Sequence, residues 1–421
     1  MKTNSARKVF IYVIAIVLSI IVVLLYFRSD IVTAPSDDEA QLPSSSSSPN
    51  IVVNTEKGGN EVLHLDDLAV GESRVLTDPQ IQSMWGGIDP QYSPDNAVAA
   101  VENALPQIEY EQLFPKRIGT EEWQTIVDSV PGLNFKTEQA DYFSYSNLIA
   151  AITDVANIKY KVEYRQANPT HSRIYRLDKE TKTEMLIYQH ANFKASYNLT
   201  IPVITQIEDF GSFIKEGTVT NRKRELAAFL ANISHETGGG GPNPRGGVST
   251  WGLFWNEEIA YMNTTTVNYA ESHNDFPPVA GKSYHGRGPI QLSWNYNYGL
   301  FSSIIYGTKD TLLEEPELIV KDGKLGFMTA ILFWMTPQPP KPSAHDVMVG
   351  NWTPSETDIT KGLTSPGFGI TIMIINGNLE GNNDESDRRI KRRVTHYRDI
   401  TARMGVNIDG EKLDTAGMSP F

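Results

Sequence analysis

The segment Asn221-Arg-Lys-Arg-Glu-Leu-Ala-Ala-Phe-Leu-Ala-Asn-Ile-Ser-His-Glu-Thr-Gly-Gly-Gly-Gly241 carries two signals in succession. Leu226, Phe229, Leu230 and Ile233 recur at i, i+3, i+4 and i+7, which lays one apolar stripe along a helix starting near Asn221. Gly238 to Gly241 then stop it. Glu236 therefore falls at the helix C-terminus, where the negative end of the backbone dipole disfavours ionisation and raises its pKa. A second acidic pair, Glu257-Glu258, follows a loop of Gly, Pro, Asn and Arg, with Glu258 22 positions (258 − 236) beyond Glu236. Two carboxyl groups facing each other across a flexible segment are the equipment for glycosidic bond hydrolysis. On these residues alone, a glutamate capping a surface turn explains Glu236 equally well, and Glu258 reads as an ordinary surface acid.

Other chemistries fail on spacing. The helical zinc motif needs a second histidine four residues after His235, and position 239 is glycine. The glycine run has no Lys-Ser/Thr behind it, so it is no phosphate loop. Gly286-Arg287-Gly288 lacks the third glycine of the dinucleotide fingerprint and runs into Pro289. No Gly-x-Ser-x-Gly elbow occurs. The 421 residues include no cysteine, which removes disulfides, thiolate nucleophiles and cysteine-ligated zinc. No metal or cofactor is expected. A formal net charge of −13 gives no electrostatic footprint for nucleic acid.

Lys2, Arg7 and Lys8 precede the uncharged apolar stretch Val9–Phe27, which as a helix reaches roughly 30 Å, enough to cross a bilayer. Residues 1–28 are expected to be a signal anchor and transmembrane helix with the basic end cytoplasmic and the rest periplasmic or extracellular. Cleavage near Val32-Thr33-Ala34 would make the protein secreted instead. Residues 29–60, with Ser44 to Ser48 and Asp37-Asp38-Glu39, read as a flexible tether. Residues 61–105 form a segment of unassigned role, in which Trp85 and Tyr92 are expected to pack locally rather than to stack on sugars. Helical spacing recurs over Glu121–Val130, Tyr145–Ala156 and Leu325–Met335, and Phe333-Trp334 reads as core. Arg173–Leu177, a turn at Asp178–Lys182, and Thr183–Tyr188 predict a hairpin.

Four further stretches complete a pattern: Gly286-Arg-Gly-Pro-Ile-Gln-Leu-Ser-Trp-Asn-Tyr-Asn-Tyr-Gly299, Phe333-Trp-Met-Thr-Pro-Gln-Pro-Pro-Lys-Pro-Ser343, Pro366-Gly-Phe-Gly-Ile370 and Ile374-Ile-Asn-Gly377. With Ser234 to Gly239 they resemble, in order, the motifs of family 19 glycoside hydrolases, the plant-type chitinases. The resemblance covers roughly residues 106–421. Tyr110 to Gly119 and Tyr142 to Ala151 are similar to the family's opening helices, and residues from about 158 to 209 read as an insertion. It implies a mainly α (α+β), lysozyme-like bilobal helical domain with a catalytic cleft and a small β-hairpin.

The resemblance also implies an inverting, single-displacement endo-chitinase acting on β-1,4 N-acetylglucosamine linkages. Glu236 matches the general acid and Glu258 the general base. An inverting pair stands roughly 6.5 to 9.5 Å apart to admit the attacking water. Ser293 matches the hydroxyl that helps hold that water. Gln291, Tyr296, Asn297, Lys341, Asn376 and Tyr284 match positions that contact substrate or lie beside the cleft. Glu380 and Arg393 match the acid and guanidinium that orient the catalytic acid, with His235 beside it. Arg392 competes with Arg393, because an extra residue lies between Glu380 and Tyr397; Glu257 competes with Glu258, and there register favours Glu258. Phe254 and Gly381 stand where the plant enzymes have cysteine, and His285 replaces a tyrosine. Chitin, or a related N-acetylglucosamine polysaccharide, is the expected partner. Peptidoglycan hydrolysis and an inactive sugar-binding module are the alternatives. Asn198, Asn232, Asn263 and Asn351 head Asn-x-Ser/Thr triplets.

Overall fold

The computed structural model describes residues 67–130, 139–241, 244–262 and 265–421. The expected membrane helix Val9–Phe27, the tether 29–60, the Ala34 cleavage point and Asn263 lie outside the described residues. Among the described residues no helix is long and apolar enough to cross a membrane.

The chain opens with β1 (Ser73–Val75) and helices α1 (Asp78–Trp85), α2 (Pro94–Ala104), α3 (Gln107–Leu113), α4 (Glu121–Asp128) and α5 (Tyr145–Val155). Strands β2 (Ile158–Arg165), β3 (Asn168–Asp178), β4 (Thr183–Gln189) and β5 (Val203–Asp209) follow. The rest is helical: α6 (Val219–Glu236), α7 (Asn295–Tyr306), α8 (Asp310–Glu314), α9 (Leu318–Lys321), α10 (Gly323–Met335), α11 (Ala344–Val349), α12 (Glu356–Thr360), α13 (Phe368–Glu380) and α14 (Arg388–Arg403). The predicted helices are present with small shifts. Helix α6 begins two residues before Asn221 because the Thr218 hydroxyl accepts the Asn221 backbone N–H and caps its first turn.

Helix α6 is the central rod. Leu226 to Ser234 are all buried, and α14 packs along it through Ile390, Val394, Tyr397 and Ile400. Their spacing of i, i+4, i+7 and i+10 keeps them on one face of α14. Phe368 of α13 stacks on Tyr397 with centroids 4.1 Å apart, and α10 lies against α5. Trp334 is buried, and its indole N–H donates to Glu225 of α6 at 3.1 Å. The Phe333-Trp334 pair thus belongs to the helical interior, Phe333 packing against the core from its edge.

The expected small hairpin is present as β3–β4, but it is part of a larger object. All five strands form one antiparallel sheet in the order β1-β4-β3-β2-β5. The reason is side-chain alternation, which gives each strand two faces. Ile158, Tyr160, Val162 and Ile174 point into the main core, whereas Tyr175, Leu177 and Leu186 form a second, smaller core. A sheet apolar on both sides needs cover on both, and α1 supplies the outer layer through Ile81 and Trp85. Beneath it lies the fully buried Glu184, which accepts from the Trp85 indole at 2.9 Å, Lys161 at 3.1 Å and Arg74 at 2.8 Å. The segment before residue 105 is therefore integral, because α2 also sends Val101 and Ala104 into the main core. Trp85 and Tyr92 are engaged within the fold, but with distant partners rather than local ones: Trp85 with Glu184, and Tyr92 through its hydroxyl, which donates to Glu216 at 2.6 Å.

Candidate active site

Glu236 is the last residue of α6, with about a fifth of its side-chain surface exposed. The Arg393 guanidinium, fully buried on α14, donates through Nη2 to Glu236 Oε1. The same guanidinium reaches Glu380 Oε2 through Nε at 2.9 Å, Glu380 Oε1 through Nη2 at 2.7 Å, and Asn232 Oδ1 through Nη1 at 3.0 Å. Arg393 is thus the guanidinium that joins the two acids. Arg392 instead donates to the Gly239 carbonyl at 2.7 Å. Burial raises the Glu236 pKa and the Glu380 charge adds to it, while Arg393 opposes them. Burial also works against the ionised form of Glu380, but Arg393 and the Asn376 amide outweigh it and hold Glu380 below the usual range. The two acids are separated in character by one shared cation: Glu380 stays charged, and Glu236 keeps its proton to higher pH.

Asn376 reaches Glu380 because α13 is broken there. Its backbone lies at φ −143°, ψ 34°, outside helical geometry, and its side-chain amide donates to Glu380 Oε1 at 2.9 Å. Lys341 comes to the same place, donating from Nζ to the Ile374 carbonyl at 3.1 Å; burial lowers its pKa. His235 has no hydrogen bond to this set among the described residues. Burial, then the nearby Arg393 and Arg392 charges, push it far below its ordinary pKa, so it is neutral. Asn232 is wholly buried in the Arg393 network and Asn198 is buried in the sheet region, so neither triplet offers a surface for a glycan.

Thr237 ties the helix end to the segment that carries the second acid. Its hydroxyl donates to Ile233 O at 2.6 Å and accepts from Leu253 N at 3.1 Å, and its carbonyl accepts from Phe254 N and Trp255 N. The glycines allow this close approach: a Cβ on Gly239 would lie 2.6 Å from the Phe254 ring. Where the plant enzymes are expected to have a disulfide cysteine, Phe254 instead stacks on Trp251 at 5.3 Å and meets Trp255 at 4.7 Å. The Trp123 indole donates to its carbonyl at 2.9 Å.

Glu258 is the carboxylate that this segment presents. Its Oε1 accepts from the Tyr269 hydroxyl and its Oε2 from the Gly286 backbone N–H, both at 3.2 Å. Burial raises its pKa, and these two hydrogen bonds pull it partly back. Glu257 is committed elsewhere, 2.7 Å from His285 Nε2 and 3.4 Å from Arg287 Nε. The residue that replaces a tyrosine, His285, is therefore the partner that occupies the competing acid.

The Gly286–Gly299 turn places the polar candidates. Gln291 and Trp294 have φ of +52° and +75°, a region that non-glycine residues rarely adopt. The Ser293 hydroxyl donates to Gln291 O at 2.9 Å, and the Asn297 amide donates to Ser293 O at 2.8 Å. Ser293, Gln291 and Asn297 are thus held on one turn, with Ser293 bonded within that turn rather than to Glu258. Tyr296 is half-buried against His273 and Phe276, with centroids 5.2 and 5.5 Å away. Tyr284 corrects an expectation. It is fully buried, its hydroxyl donating to Leu313 O at 2.8 Å and accepting from Val279 N at 2.9 Å, so it offers no surface to a substrate. Sequence reading missed Tyr269 and Trp294. The Trp294 ring is 41% exposed and lies edge-on to Tyr269 with centroids 5.1 Å apart. Tyr269 sits in a loop without periodicity, and no local signal marks it as the donor to Glu258.

The family described as class I chitinase, in glycoside hydrolase family 19, matches residues 179–415. Endochitinase A2 of Pisum sativum is 43% identical over 212 residues, which are 50% of this chain and 62% of the relative. Acidic endochitinase WIN6 of Populus trichocarpa is 42% identical over 226 residues, 54% of this chain and 63% of the relative. An inactive chitinase-like protein 1 of Hevea brasiliensis is 41% identical over 218 residues, 52% of this chain and 66% of the relative. The chain spans less than two thirds of the length of these relatives. Among solved structures, chitinase C from Streptomyces griseus has a TM-score of 0.44 at 23% identity, covering 74% of this chain and 80% of that one. With more than half of its length matched by the family, the chain belongs to the class I chitinases of glycoside hydrolase family 19.

Proposed function

We propose that this chain hydrolyses β-1,4 N-acetylglucosamine linkages by inverting single displacement, in a cleft between two lobes arranged as in lysozyme. The observation that carries this reading is the unequal treatment of three carboxyl groups. Glu380 is held ionised by Arg393, while burial raises Glu236 and Glu258. A raised acid at the end of α6 is suited to give its proton to the leaving glycosidic oxygen near neutrality. Glu258, oriented by Tyr269 and Gly286, takes a proton from a water as that water's oxygen bonds to the anomeric carbon and the glycosidic bond breaks. The departing sugar leaves with the proton from Glu236, and the new hydroxyl lies on the opposite face. Gln291, Tyr296, Asn297, Lys341 and Asn376 are the proposed substrate contacts, and Ser293 the water contact.

Glu236→Gln removes the transferable proton and is expected to lower kcat by about 10²- to 10⁴-fold while oligosaccharide binding survives. Full activity in that variant would overturn the mechanism. NMR of fresh product is expected to show the α-anomer first, and β-anomer first would mean retention. An inactive relative exists at similar identity, so hydrolysis of chitin oligomers beside purified peptidoglycan is the deciding assay for activity and polymer. We also propose that Val9–Phe27 anchors the protein in a membrane with the catalytic body outside the cytoplasm.

A further inference from the structure

The sheet does more than cover the core. Strand β4 faces the segment after Tyr269 and the end of α7 across a cleft of about 330 Å³, outside the residues assigned to catalysis. Ile187, Tyr188 and Val70 supply an apolar wall, with Gln189, Asn274 and Asp275 among its polar groups. Its sides are fixed to each other. Lys309 at the far edge donates to the Asp275 carbonyl at 2.8 Å, and Gly71 donates to Leu186 O at 2.8 Å. Tyr188 stacks on Phe276 with centroids 5.7 Å apart at 16°, and the Phe276 ring meets Tyr296. The same aromatic ring therefore supports the floor of this cleft and a proposed substrate contact of the catalytic one.

The polar groups are available. Among the described residues, the Asp275 carboxylate and the Asn274 side-chain amide have no hydrogen bond or ion pair. Gln189 Oε1 is shut off from solvent and has no donor against it. A buried acceptor without a donor costs about 1–3 kcal/mol, and the soft terminal torsion of the side chain allows a donor in the cleft to offset it. One amide acceptor, one carboxylate and one amide beside an aliphatic and aromatic wall fit a polyhydroxylated ring with a neutral N-acyl substituent. Hydroxyls donate to Asp275 and Gln189, Asn274 donates to the acyl carbonyl, and the ring's apolar face lies on the wall.

We infer that the cleft between β4 and the Asn274–Phe276 segment is a second, non-catalytic binding site for an N-acetylated sugar unit. This rests on the proposed reading of the catalytic cleft only for the identity of the polymer. Titration calorimetry on the Glu236→Gln full-length protein with N-acetylglucosamine hexamer is expected to give two sites per chain. Adding Asn274→Ala and Asp275→Ala, whose side chains hold nothing else, is expected to leave one. With Glu236 intact, the same pair is expected to raise KM for long chitin about fivefold, leaving kcat and trimer cleavage unchanged. One site before and after the double substitution would overturn the inference and leave the catalytic reading standing. Binding that the double substitution abolishes, in a protein inert toward both polymers, would support the second site and overturn the catalytic reading. Equal KM increases for long and short substrates would also overturn the inference, because a site beyond the cleft cannot sense a chain too short to reach it.

Discussion

At the residue scale, the site depends on where charge is tolerated. Arg393 is buried and faces Glu236, Glu380 and Asn232, so it compensates one carboxylate fully and another in part. Among the described residues Glu258 has no cation in direct contact, and its two donors are a phenol and a backbone N–H. Its folded pKa is raised. The protonated carboxyl is therefore favoured by folding, and ionisation above the unfolded pKa costs stability. Glu258→Gln is expected to stabilise the protein by about 1 kcal/mol at pH 7 while abolishing hydrolysis. The gain should disappear near pH 4, where the wild-type carboxyl is already protonated. Chemical denaturation of both proteins at the two pH values checks this, and equal stability at pH 7 would mean that Glu258 is not held against its charge. Glu236 and Glu380 were legible as acids in the sequence; their inequality was not, because it arises from a shared Arg393 that lies 157 (393 − 236) positions from the first.

At the element scale, two junctions set the geometry. The first is the glycine run, where Gly239 lies between the Arg392 guanidinium and the Phe254 ring and donates to Trp251 O at 2.9 Å. Gly239→Ala places a methyl 2.6 Å from that ring. It is expected to cost about 1–3 kcal/mol and to lower kcat more than it raises KM, because the displaced segment leads to Glu258. Steady-state kinetics and a thermal melt check both parts. The second junction joins the end of the sheet to α6 and α11. His345 lies 2.6 Å from Glu225 through Nδ1 and 3.2 Å from the Ser212 hydroxyl through Nε2, all three being buried. Burial lowers the His345 pKa, but Glu225 outweighs it and raises it to about 9. A pKa raised above the usual 6.5 gives stability that is fully present below 6.5 and is lost as pH rises through about 9. Tm is expected to fall by a few degrees between pH 7 and pH 10, and a Glu225→Gln/His345→Leu double variant to flatten that fall. An unchanged slope in the double variant would sink this account. Periodicity made α6, α10 and the β3–β4 hairpin readable in the sequence. It gave no hint of the junctions, because a glutamate within an apolar helix looks the same whether it pairs with a histidine or faces water.

At the scale of the whole molecule, the sheet is the feature least legible in advance. Its hairpin was readable from alternation and a polar turn. The pairing of β1 with β4, and of β2 with β5, joins segments separated by 110 (183 − 73) and 45 (203 − 158) residues. No window of sequence contains both partners. The proposed anchor gives the matching prediction at this scale. Truncation before Asp30 is expected to release a soluble protein with unchanged kcat/KM, measured on chitin oligomers after ultracentrifugation, and an insoluble or inactive product would mean that those residues do more than anchor.

The sequence by itself determined the local and chemical facts: the helix ending at Glu236, the acid that follows, the motif order that marks the family, and the absence of thiol chemistry. These depend on neighbours along the chain and on residue type. Tertiary structure alone decided that Arg393 rather than Arg392 holds Glu236, that Glu257 is spent on His285, that Tyr284 is buried, and that β4 lines a cleft with Asn274, Asp275 and Phe276. Those outcomes depend on which side chains share a low-dielectric space, and a single chain read in order does not display distance.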